Sequence, residues 1–130
     1  MSESPQGGAP ARYPEFIPAA GACLATLNVL SGAGKVRWLQ RKPSRAPADN
    51  GWRIMSHVDT SEYLSDGSNW KIVDFNQVCA IEPALIGIWD LAVGSELQVV
   101  RDENGIRIFD TPTGQPIPTE NLYVPPQDRA

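Results

Sequence analysis

Residues 95–110, SELQVVRDENGIRIFD, constrain this chain more than any other stretch. Two runs of alternating apolar and polar residues flank Glu103-Asn104-Gly105. Alternation with a period of two is the mark of a strand with one buried face. An Asn-Gly pair tolerates the positive backbone angles of tight hairpin turns, so the stretch reads as a β-hairpin turning at Asn104-Gly105. A lone hairpin is marginal in water, so the rest of the chain must supply further strands or a covering layer.

Other segments supply them. Lys35–Lys42 (KVRWLQRK) alternates, with Val36, Trp38 and Gln40 expected on one face. WRIMSHV (52–58) and WKIVDF (70–75) are strand-like as well, with Trp52 and Ile54 sharing a face in the first. ACLATLNVL (22–30) is apolar and reads as a strand or a short buried element before the turn signal SGAG. PSRAPADNG (43–51) holds two prolines and an Asn-Gly, and reads as a loop. Two helices are expected. One covers 59–67, capped by Asp59, Thr60 or Ser61 and ended by Gly67. The other covers 76–91, capped by Asn76, with Val78, Ile81 and Leu85 at helical spacing and Pro83 either opening a second turn or kinking the segment.

This order predicts an α+β fold: a single, mainly antiparallel sheet with two short helices packed on one face. A length of 130 residues fits one domain, which buries roughly two-thirds of its unfolded surface. Nine of the twelve prolines fall in 1–18 or 112–126. The expected organisation is therefore a flexible N-terminal tail (1–18), a folded body (19–111) and a Pro-rich, disordered or extended C-terminal tail (112–130).

Charge is unevenly spread. Residues 1–45 carry a net of +4, residues 46–110 a net of −7, and the whole chain −4. An acidic body argues against nucleic acid and against anionic membranes, both of which need a basic footprint. It suits a basic partner, because opposite fields speed encounter, and equally suits plain solubility. No apolar run approaches a membrane span, and the N-terminus has neither the basic nor the apolar region of a secretory signal, so a cytoplasmic location is expected.

Candidate chemistry is thin. Cys23 and Cys79 sit in apolar surroundings, and one histidine with two isolated cysteines does not complete a zinc set. No disulfide, metal or cofactor is expected. Cys23, His57 and Asp59 could form a nucleophilic triad in principle, but apolar neighbours raise a thiol pKa and oppose reactivity. Asp59, Glu62 and Asp66 have the spacing of one helix face, where acids near a helix start more simply favour its dipole than bind a cation. SGAGK (31–35) has the opening of a phosphate loop without its second half, and reads as a turn. Four tryptophans are many for this length; Trp38 and Trp52 are expected inward by periodicity, while Trp70 and Trp89 are left open.

Several of these stretches occur together in one known family. Lys35-Val36-Arg37-Trp38, then Asp49-Asn50-Gly51-Trp52-Arg53, Glu62-Tyr63-Leu64, Ile72-Val73-Asp74-Phe75, and finally Asp90 with Val93-Gly94-Ser95 follow one another in this order. The ordered set resembles the immunity-protein domain of bacterial polymorphic toxin systems, long catalogued as a domain of unknown function. That family has a D-S-G-W-R-F strand, an acidic E-Y helix, an I-Y-D-L-N strand and a D-S-P-V-G-S segment. Here Asn50 stands for the serine, and Ser56-His57-Val58-Asp59 replaces a more acidic run. The resemblance covers about residues 22–110. It implies a non-enzymatic protein that binds and neutralises a cognate protein toxin. It makes Asp49, Trp52, Arg53, Asp59, Glu62 and Tyr63 part of a shared partner-binding surface or of the frame beneath it. The alternative is a small-ligand or regulatory domain without a toxin.

Overall fold

The computed structural model describes residues 12–129. Six strands form one sheet: β1 (Ala22–Thr26), β2 (Val36–Arg41), β3 (Asp49–Ser56), β4 (Trp70–Asp74), β5 (Glu96–Asp102) and β6 (Gly105–Asp110). Their order is β4-β1-β3-β2-β5-β6. Only β1 and β3 run parallel, so the sheet is mixed but mainly antiparallel, and the α+β expectation holds. Among the described residues there are three short α-helices: α1 (Leu27–Ser31), α2 (Ser61–Leu64) and α3 (Phe75–Ile81). A 3-10 helix at Pro83–Ile88 continues from α3, with Pro83 opening it where its missing amide costs nothing.

One face of the sheet is thickly covered. Ala25, Leu39, Ile54, Leu97 and Val99 from the strands are buried with Phe75, Val78, Leu85 and Ile88 from α3 and the 3-10 helix. Trp52 lies in this core with no exposed surface, its indole N–H donating to the Trp89 carbonyl at 2.9 Å. Packing continues past both expected body boundaries. Ile17 is fully buried, and its amide donates to the Asn76 side chain. Ile117, Leu122 and Tyr123 pack on the core from the C-terminal side, and the Tyr123 ring lies 4.8 Å from that of Trp89. Most of the expected N-terminal tail, residues 1–11, lies outside the described residues.

Several local expectations are corrected. Trp38 was expected inward but is 37% exposed, because a register shift between Val36 and Trp38 breaks the alternation of β2. Val36 and Leu39 face the core, while Trp38 and Gln40 face the other side. The loop expected over 43–51 ends early, since β3 already begins at Asp49. Asn76 does not cap α3: Asp74 does, and Asn76 is spent on both backbone groups of Ile17. Gly67 does not end α2, which stops at Leu64 with Ser65 as its cap. The hairpin turns one residue earlier than Asn104-Gly105. Asp102 pairs with Gly105, Glu103 and Asn104 have no positive φ, and the single positive angle (φ 111) falls on Gly105. The 22–30 stretch is both things at once, β1 running straight into α1, with Thr26 as the helix cap.

Candidate functional site

The Asp49–Arg53 stretch is built from local hydrogen bonds. Asp49 accepts from the Gly51 amide at 2.8 Å and the Arg45 amide at 2.8 Å. Both its oxygens take the Arg53 guanidinium, at 3.0 and 3.1 Å. A fork-to-fork pair of this kind fixes orientation as well as charge. Arg53 is only 6% exposed, and the same guanidinium also donates to the Trp52 carbonyl. The Arg53 hydrogen bonds, helped by the two amides, hold the Asp49 carboxyl well below the usual carboxylate range. Gly51 sits at φ 90, and a Cβ there would collide with the Lys42 carbonyl oxygen. The motif thus needs glycine for two reasons, conformation and space.

Asp59 is a second anchor. It accepts from Thr26 Oγ1 at 2.8 Å, Asn28 Nδ2 at 2.8 Å and the Ser56 amide at 2.6 Å. It therefore ties the β1–α1 junction to the end of β3, while Thr60, not Asp59, caps α2. Glu62 is exposed on α2 and Tyr63 half-buried. Asp49 and Arg53 are thus brought together, Trp52 points into the opposite layer, and Asp59, Glu62 and Tyr63 follow one another at the top of β3.

The catalytic arrangements weighed from sequence are not assembled. Cys23 is buried against Val73 of the neighbouring strand, and burial pushes its thiol up. His57 Nδ1 accepts from the Lys35 amide, and no hydrogen bond joins Cys23, His57 and Asp59 to one another among the described residues. Asp59, Glu62 and Asp66 share no helix face, because α2 is one turn long. No group of three or more His, Cys, Asp or Glu is placed to hold a metal ion among the described residues. SGAGK closes α1: Gly32 takes the left-handed cap position and donates to the Val29 carbonyl.

The second face of the sheet is the feature that periodicity alone missed. The pairing puts Ile72 opposite Leu24, Leu24 opposite Arg53, and Arg53 opposite Gln40 across four strands. The neighbouring row sets Met55 opposite Trp38. A groove of about 1240 Å³ runs over this face between the loop after β2 and the α2 region. Leu24, Met55, Leu64, Trp70 and Ile72 give it an apolar floor and wall, and Lys42 and Arg45 stand on one rim. A recess of about 430 Å³ adjoins it, reaching Asp49 and Cys23. Ile72 is 74% exposed in the middle of β4, and with Leu24, Met55 and Trp70 it forms an apolar patch rather than a lone exposed residue. The signal for this face was in the sequence, in Trp38, Met55 and Ile72, but only the bulge and the strand order reveal that they share it.

Comparison with known proteins finds one family model, described as the immunity protein Imm33 domain, matching residues 23–109. No curated protein and no solved structure matches the chain.

Proposed function

Starting from the membership of this chain in the Imm33 immunity-protein family, we propose that it neutralises a cognate protein toxin by binding it, without turning over a substrate. The open sheet face carries this reading. It offers apolar side chains in a concave surface that includes Trp70, with Trp38 exposed on the same sheet face, and both are aromatic groups of the kind that dominate binding energy. In this reading Glu62 and Tyr63 touch the toxin from the edge of the groove, and Asp49, Arg53, Trp52 and Asp59 hold that surface in shape. Neither thiol is poised as a nucleophile, since both are buried and burial pushes Cys79 up to about 12 and Cys23 upward too. In this reading the protein meets a toxin whose target lies in the cytoplasm, and acts there.

The test is co-expression with a toxin-domain protein, sought first among the genes beside its own. The expected result is a stoichiometric complex on purification and survival of the host. A toxin that stays lethal and elutes alone sinks the proposal. A second reading rests on the 430 Å³ recess, whose size suits a small ligand. A small molecule retained through purification, with no toxin bound, would favour it.

A further inference from the structure

The groove differs in charge from the molecule that carries it. The chain is acidic, with a net charge of −4. Yet no carboxylate lines the groove among the described residues. The adjoining recess has Asp49 alone, and Arg53 already neutralises it. Lys42 and Arg45 are exposed on the rim. Neither takes part in an ion pair among the described residues, where the three pairs are Arg53–Asp49, Arg101–Glu82 and Arg107–Asp102. What sets the groove apart is its lining: Lys42, Arg45 and Lys71 stand beside an apolar floor with no carboxylate among them, in a chain that is acidic as a whole.

Size narrows the occupant. Small-molecule sites span about 300–1,000 Å³ and bury most of their ligand. This groove is about 1240 Å³ and open along the sheet, which fits a stretch of polypeptide lying across the strands. We infer that the groove receives an acidic segment of the partner that also carries apolar side chains. Its apolar groups seat on Ile72, Trp70 and Met55, and its carboxylates meet Lys42 and Arg45. The inference rests on the toxin-binding reading and specifies the chemistry of the toxin surface that reading requires. The overall negative charge of the chain acts at long range on encounter, whereas the two rim cations act at contact, within a Debye length of about 10 Å. They select a segment whose charge is opposite to that which the whole-chain balance favours.

The experiment uses the full chain immobilised against a random linear peptide library, then the same chain against the toxin-domain protein of the co-expression test. Recovered peptides are expected to combine Asp or Glu with Leu, Phe or Trp. Their binding should weaken at raised salt, and by at least about tenfold in the double variant Lys42→Glu with Arg45→Glu, because like charges face to face are costly. Ile72→Asp should weaken the same peptides independently. All three side chains are exposed, so thermal unfolding of both variants should match the parent, and each variant checks the other. Recovery of basic or uncharged peptides, of none, or of acidic peptides indifferent to both changes overturns the inference. So does a concentration-dependent dimer of the parent that Ile72→Asp abolishes, since a second copy would then occupy the face. In the toxin arm, a parent that binds toxin and variants that bind it equally well overturn the groove assignment and leave the immunity reading intact. A parent that binds no toxin removes the immunity reading itself, and the peptide arm alone then decides the chemistry of the groove.

Discussion

At the scale of single residues, Gly51 and Asp49 have the sharpest roles. A methyl group at Gly51 meets the Lys42 carbonyl, and the φ of 90 disfavours any side chain. Gly51→Ala should cost about 3 kcal/mol or more, since strain and collision add. Chemical denaturation would show this, and a midpoint within error of the parent would contradict the geometry. Asp49 ties stability to pH. Its folded-state pKa is depressed, chiefly by hydrogen bonds from Arg53. Its contribution is therefore fully present above the unfolded carboxyl value of about 3.9 and is lost as pH falls from there toward the folded value. Asp49→Asn should destabilise by about 2 kcal/mol at neutral pH, less than a fully buried pair because the carboxylate keeps some solvent. It should also flatten the fall in stability below about pH 4. Denaturation midpoints measured from neutral pH downward test this, and an acid limb as steep in Asp49→Asn as in the parent would rule out Asp49 as its source.

At the scale of elements, the short helices depend on single side chains. The α2 helix has one turn, too short to stand without its cap and its anchor. Asp59 supplies the anchor through three hydrogen bonds to β1, α1 and β3. Removing it in Asp59→Ala should cost about 2 kcal/mol, the worth of hydrogen bonds to a charged group. Amide exchange should quicken in Ser61–Asn69 far more than in the β5–β6 hairpin; uniform quickening would mean that Asp59 supports the whole fold instead. Gly67 offers the contrast to Gly51. Nothing lies within 4 Å of a Cβ there, and its φ is not positive. Gly67→Ala should be neutral or stabilising by about 0.5 kcal/mol through the unfolded chain. A clear loss in midpoint would show that this glycine does more than begin a 3-10 turn.

At the scale of the whole molecule, two layers have different tasks. The covered face holds the fold together: α3, the Pro83–Ile88 helix, Ile17 and Tyr123 close over it. The opposite face is left to Trp38, Met55 and Ile72. Both cysteines lie in the covered layer, at 1% exposure or less, so they report on its integrity. Neither thiol should react with a disulfide reagent at pH 8 while the protein is folded, and both should react once denaturant opens the core. Fast labelling of one thiol in native protein would show that the layer opens locally. Because Ile17 and Tyr123 belong to this layer, truncation to residues 19–111 should lower the unfolding midpoint, and an unchanged midpoint would show that the flanks pack without stabilising.

What the sequence alone determined was local. Alternation identified the β5–β6 hairpin and the strands at 35–42, 52–58 and 70–75, because a half-buried strand leaves a period-two trace in its own residues. The ordered run from Lys35 to Ser95 identified the family, and Pro83 was legible as a break in the helical segment, either a new turn or a kink, of which the structure takes the first. Tertiary structure decided whatever depended on distant partners. Trp38 points outward because a bulge in β2 is set by its pairing with β3, and no periodicity within β2 contains that partner. Asp74 caps α3 because Asn76 is drawn away to Ile17, fifty-nine residues earlier in the chain. The groove was invisible for the same reason. Its walls come from β1, β2, β3, β4 and two loops, and its charge is the opposite of the chain average, since strand order, not composition, placed Lys42 and Arg45 beside Ile72.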